Sequence, residues 1–111
     1  MPQEYNKLVR DRIPEIIRKN GLDCQTITLS ETEYRQALRE KLIEEAQEAA
    51  TATNGELAIE IADLLEVVDA LLKSYGISHN QITLERDRKR ATKGDFEQKI
   101  MLLWTKENTT R

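Results

Sequence analysis

At 111 residues, with 39% hydrophobic, 33% charged and 5% aromatic side chains, the chain fits one helix-rich domain, and neither a β-sandwich nor a disordered tail suits that balance. The net charge of −3 divides unevenly: residues 31–73 hold eleven acids against four bases, residues 74–111 hold five against eight, and residues 1–30 add +1. Overall acidity excludes a general nucleic-acid binder, whereas an acidic middle suits multivalent cations and basic flanks suit phosphate. The lone Cys24 excludes an internal disulfide. With no secretory apolar region at the amino end and no apolar run of membrane-span length, a cytoplasmic address without a membrane partner is the expectation.

No repeat, low-complexity tract or linker interrupts the chain, so residues 1–111 read as a single domain. "DRIPEIIRKNG" opens as a short helix, with Asp11 placed to cap it, Pro14 in its first turn and Asn20-Gly21 as its stop. "QTITLS" alternates and is β-branched, predicting a short strand over 25–29. Ser30 followed by Glu33 is a capping-box pattern that starts a helix running to about Thr53, before Asn54-Gly55. A third helix follows from about Glu56 to Tyr75, with Gly76 as its stop, and Ser78 can cap a basic fourth helix ending near Lys93-Gly94. "KIMLLWT" is expected to pair as a second strand, over about 99–104, with residues 25–29. The fold class is therefore mainly α, a helical bundle with a small two-stranded β element.

In the third helix, a turn of about 100° per residue puts Leu57, Ile61, Leu64, Leu65, Val68, Leu71 and Leu72 in one broad apolar arc, read as core. Glu66, Asp69 and Lys73 fall opposite, on a solvated face, while Glu56, Glu60 and Asp63 border the arc. In the second helix, Glu45 and Glu48 fall on the stripe of Leu38, Leu42 and Ala49, with Lys41 beside them and Glu44 a little outside. A short connection makes these two helices an antiparallel hairpin, in which Glu45 and Glu48 can face Glu60 and Asp63. Four carboxylates in a partly dry groove repel one another unless protonated or joined by a cation, and each buried unpaired ion costs several kcal/mol. Oxygen ligands without His or Cys spacing suit Mg²⁺ or Mn²⁺ rather than zinc. A single E-x-x-E is most often a solvated pattern; an E-x-x-E in one helix and an E-x-x-D inside an apolar run of the next favour a metal site.

The same residues also resemble a known family. "KLIEEAQEA" followed by "ELAIEIADLLEVVDALLKSYGI" is similar to the E-E-x-x-E... E-x-x-D signature of the MazG-like, all-α nucleoside triphosphate pyrophosphohydrolases, a group related to the phosphoribosyl-ATP pyrophosphohydrolases. "YNKLVRDRIPEII" resembles the opening of a small MazG-like subgroup, and "KRATKGDFEQKIML" its "R-G-G-F-E" segment, so the likeness spans nearly the whole chain. The resemblance implies a bundle of α helices often completed by a partner copy, a homodimer or homotetramer. It also implies Mg²⁺-dependent hydrolysis of a nucleotide between its α and β phosphates, giving a monophosphate and pyrophosphate. Carried over by motif position, it makes Glu45, Glu48, Glu60 and Asp63 the metal ligands and Glu44 the group that positions or deprotonates the attacking water. Lys93 and Asp95 in "KGDF" stand where the family has arginine and a second glycine, which weakens the assignment of that loop to phosphate contact. Two other readings of the same fold are a helical dimerisation or regulatory module without catalysis, and a nucleotide or metal sensor that binds without turnover.

For substrate, Lys7, Arg10 and Arg12 in "NKLVRDR" are candidate triphosphate contacts, Arg binding phosphate bidentately and Lys as a point charge. Lys41 joins them, and Lys93 and Lys99 are weaker candidates still. "ERDRKR" reads as a solvated face, His79 as exposed and Cys24 as a small buried or half-buried side chain rather than a nucleophile. Trp104 and Phe96 are expected to pack at a core edge or a subunit interface.

Overall fold

The computed structural model describes residues 2–109. Its four helices are α1 (Ile13–Lys19), α2 (Glu31–Thr51), α3 (Leu57–Tyr75) and α4 (His79–Lys93). The chain divides into two compact units, one ending at Ser78 and one starting at His79.

The helix ends follow local chemistry. At the start of α2, Ser30 Oγ accepts from the Glu33 N–H and the Glu33 carboxylate accepts from the Ser30 N–H, each at 3.2 Å, so the capping box forms as the sequence predicts. Two Schellman closures end α1 and α3. Leu22 N–H reaches Ile17 O and Gly21 N–H reaches Arg18 O; likewise Ile77 bonds Leu72 and Gly76 bonds Lys73. Gly21 and Gly76 adopt φ of 81° and 68°, the left-handed region that these closures require and that other residues enter at a cost.

Three local expectations are corrected. Asp11 does not cap α1: the N-cap position is Arg12, without a side-chain bond, because the Ile13 N–H is already satisfied by Arg10 O in a preceding turn. Helix α2 stops at Thr51, where Ala52 turns to extended backbone (φ −67°, ψ 150°), two residues before the predicted end. The small β element does not form among the described residues: 25–29 and 99–104 have no strand assignment, and Ile27 and the Ile100–Trp104 run are exposed. A β-branched segment becomes a strand only with a ladder partner for its N–H and C=O groups, and alternation alone supplies none.

Within the first unit, α2 and α3 pack as a hairpin. At its open end Arg35 Nε donates to Ser74 Oγ at 3.0 Å, Arg39 donates to Tyr75 Oη at 3.2 Å, and both guanidinium groups lie over the Tyr75 ring, at 4.5 and 5.2 Å. Leu38 is the buried apolar centre, 2% exposed. The predicted apolar arc of α3 divides: Leu64, Val68, Leu71 and Leu72 are half-buried, whereas Leu57, Ile61 and Leu65 remain 43%, 39% and 54% exposed. One neighbouring helix covers only part of an arc that broad. The segment before α1 runs along this hairpin, with Leu8 half-buried.

The second unit contains α4 and the residues after it. Ion pairs Arg88–Glu85 (2.6 Å) and Arg90–Asp87 (3.2 Å) knit one turn to the next, and Arg86, Lys89, Arg90, Gly94, Asp95 and Phe96 border a shallow hollow. Phe96 and Trp104 are exposed, so neither packs at a core edge of this unit. His79 is exposed as predicted, and Cys24, in the first unit, is half-buried with its thiol 3.9 Å from Pro14 O.

Candidate metal and phosphate site

Toward the connected end of the hairpin, α2 contributes Glu45 and α3 contributes Glu60 and Asp63, each with a carboxylate oxygen within 4.8 Å of the others. Glu45 sits four residues after Lys41 and seven after Leu38, on the stripe that α2 turns toward α3, which leaves it only 7% exposed. Glu60 and Asp63 are three residues apart, adjacent on one face of α3. Glu45 Oε2 and Glu60 Oε2 are buried and have no hydrogen-bond partner. An unsatisfied buried carboxylate oxygen is costly, and among the described residues no donor relieves either one.

The electrostatics follow from that crowding. Burial raises the Glu45 pKa above the ordinary carboxylate value, and Glu48 and Asp63 push it the same way against the pull of Lys41. Burial also raises the pKa of Glu60, with repulsion from Glu48 and Asp63 adding to it. Glu48 thus faces both Glu45 and Glu60, yet it is exposed and stands outside the close triad.

Cations from the chain border the acids. Arg10 Nη2 donates to Asp63 Oδ1 at 2.9 Å, and Lys41 Nζ lies 3.7 Å from Glu45 and 3.5 Å from Glu44. Lys7 Nζ donates to Glu44 Oε1 at 3.3 Å. Of the residues singled out in the sequence, Glu45, Glu60, Asp63, Glu48, Arg10 and Lys41 therefore meet, and Glu44 and Lys7 form a pair beside them. Arg12 does not join: it pairs with Glu15 at 3.4 Å on the surface of α1. Lys93 is exposed in the last turn of α4, in the second unit.

Next to the triad lies a cavity of about 230 Å³ between residues 8–11, α2 and α3. Arg10, Asp11, Lys41, Glu45, Asp63 and Glu66 line its charged part, and Leu8, Val9, Tyr34, Leu38, Val67 and Ala70 its apolar part. The sequence reading put Glu66 on a solvated face; the structure puts it on the cavity wall, still exposed. Its spacing of three from Asp63 was the available signal, since i and i+3 share a face. Asp11, read as a cap, lines the same wall.

The acids fit a hard divalent cation: oxygen donors only, converging from two helices, with two of the oxygens lacking any other partner. No solved structure matches the chain. A protein of Mycolicibacterium smegmatis, described as uncharacterized, is 48% identical over 54 residues, which cover 49% of this chain and 55% of that protein. The chain thus spans about half the length of this curated relative. No helix among the described residues is long and apolar enough to cross a membrane. The family model described as phosphoribosyl-ATP pyrophosphohydrolase matches residues 4–90, most of the chain and all the acids of the triad, and the chain belongs to that pyrophosphohydrolase family.

Proposed function

We propose that the chain is a Mg²⁺-dependent nucleotide pyrophosphohydrolase that cleaves the α–β phosphoanhydride of a nucleoside triphosphate or related nucleotide, releasing a monophosphate and pyrophosphate. The observation that supports it most is the convergence of Glu45, Glu60 and Asp63 with two buried, unpartnered carboxylate oxygens. Glu45, Glu60 and Asp63 would hold the cation, with Glu48 as a flanking fourth carboxylate; Mn²⁺ suits the same donors. When bound, the metal supplies charge neutralisation at the phosphate oxygens and lowers the pKa of a coordinated water.

The chain's own residues do the rest. Arg10 and Lys41 already lie against the acids and are placed to turn toward substrate phosphates once a cation satisfies the carboxylates. Glu44, steadied by Lys7 and Lys41, is the group we assign to accept the proton of the attacking water. Water oxygen bonds to phosphorus as the bridging P–O bond breaks, and pyrophosphate leaves. Clearing unwanted nucleotides from the cellular pool is the role this chemistry suits.

The site stands on a hairpin with an uncovered apolar flank, Leu57, Ile61 and Leu65, and we take a second copy of the chain, as a homodimer or homotetramer, to cover it. The decisive experiment incubates the protein with a panel of nucleoside triphosphates and Mg²⁺ and measures pyrophosphate. Release that disappears in Glu45→Gln supports the enzyme. Release no greater than in that variant favours a binding module, and Mg²⁺-dependent binding with intact nucleotide recovered favours a sensor.

A further inference from the structure

We propose that the cavity beside the triad reads the sugar of the nucleotide, with Glu66 and Asp11 accepting hydrogen bonds from ribose hydroxyls, so that ribonucleotides are preferred over deoxyribonucleotides. The proposal rests on the nucleotide reading above and names the substrate class of that site.

Helix geometry orders the cavity walls. On α3, Asp63 belongs to the triad, Glu66 stands about 4.5 Å further along the axis, and Ala70 about 10 Å along. On antiparallel α2, Glu45 belongs to the triad, Lys41 is about one turn away, and Leu38 and Tyr34 lie further in the same direction, Tyr34 about 16 Å along. Moving from the triad, the walls pass from metal-suited acids, through Lys41 and Glu66, to the apolar surface of Leu38, Val67, Ala70 and Tyr34. A nucleotide has the same sequence of chemistries: phosphate, then hydroxyls, then a flat base. The spacing of about one helical turn between Asp63 and Glu66 matches the short step from α-phosphate to sugar.

The middle carboxylates are available. Glu66 and Asp11 have no hydrogen bond or ion pair within the described residues, while their neighbours Asp63 and Arg10 are bonded to each other. An ionised carboxylate is acceptor-only, and hydroxyl donors at this position satisfy it. Glu45, 7% exposed with Oε2 unpartnered, lines the same cavity, so a nucleotide whose phosphate meets a cation at the triad brings its sugar and base into this cavity. A site that bonds a hydroxyl discriminates against the analogue lacking it, strongly when buried and less when exposed; Glu66 and Asp11 are exposed, so about tenfold is expected.

The test is calorimetric titration of the full chain in Ca²⁺ with ATP and dATP, then GTP and dGTP, repeated for Glu66→Ala and Asp11→Ala, alongside pyrophosphate release in Mg²⁺. The expected result is ribonucleotide binding about tenfold tighter than that of its deoxy partner, with the ratio falling toward one in Glu66→Ala and Mn²⁺ affinity without nucleotide unchanged. Equal or deoxy-favouring binding by the unmodified chain overturns the proposal. So does a ratio that neither substitution moves, or a Glu66→Ala effect on base preference instead of sugar preference. Should the ribose ratio appear without pyrophosphate release, the hydrolytic reading falls and the sugar assignment stands; release with equal ribose and deoxyribose affinity sinks only the sugar assignment. No nucleotide binding at all overturns both.

Discussion

Arg10 reaches across from the segment before α1 to hold Asp63, Nη2 to Oδ1, at 2.9 Å. A guanidinium thus occupies one carboxylate of the triad. Both side chains are partly solvated, so the pair is worth up to about 1 kcal/mol, and a divalent cation competes with it easily. Arg10→Ala is expected to tighten Mn²⁺ binding roughly two- to fivefold, by removing the competitor, and to raise nucleotide KM about tenfold, by removing a phosphate contact. Calorimetry without nucleotide and steady-state kinetics read the two effects separately. Unchanged metal affinity would dissociate Arg10 from the site.

Among the described residues Glu60 is the triad member that forms no ion pair, since Arg10 serves Asp63 and Lys41 serves Glu45. Glu60→Gln should therefore lower turnover by about a hundredfold or more, through loss of a metal ligand, while the metal-free melting temperature stays level or rises as repulsion is relieved. A marked fall in the metal-free melting temperature would show that Glu60 is a structural residue.

The pH dependence has a definite sign. Between the ordinary carboxylate value of 4.5 and their raised pKa values, Glu45 and Glu60 keep protons in the folded chain that the unfolded chain has released. Folding then takes up protons, so their contribution to stability falls as pH rises through that window and levels off above it. Glu33 acts oppositely: bonded to Ser30, its pKa is lowered, and its contribution is complete above 4.5 and lost as pH falls through the lowered value. Thermal melts without metal should show the Glu45 and Glu60 penalty growing as pH rises above 4.5, and the slope should shrink in Glu60→Gln. Saturating Mg²⁺ should reverse it, because ligands bind metal deprotonated. A slope identical in Glu60→Gln would refute the assignment.

Leu38 combines near-complete burial with a place on the cavity wall. Leu38→Ala is expected to cost about 2–4 kcal/mol in denaturant unfolding, because the new void merges with an existing one that the hairpin cannot collapse. A cost below about 1 kcal/mol would mean that the hairpin repacks freely.

Leu65 and Ile61 lie in the half of the α3 arc that α2 leaves open. If a second copy covers them, Leu65→Lys should shift sedimentation toward the monomer and lower activity in parallel. A wild-type chain that sediments as a monomer would remove the homo-oligomer from consideration.

The amino-acid sequence by itself determined the helices, the Ser30 capping box, the glycine closures at Gly21 and Gly76, and the facing of Glu45 with Glu60 and Asp63. The helices and caps depend on spacing within one helix or a few residues, set before any distant contact forms, and the facing of the acids follows from two such helices joined by a short connection into a hairpin. Only the tertiary structure decided that 25–29 and 99–104 are not strands, that the arc of α3 is half covered, and that Arg10, Asp11 and Glu66 share one cavity. A strand needs a partner, an apolar face needs a neighbour of given width, and residues 10 and 63 meet only because the chain before α1 lies along the hairpin. Those are properties of the approach between segments, and no periodicity within a segment encodes them.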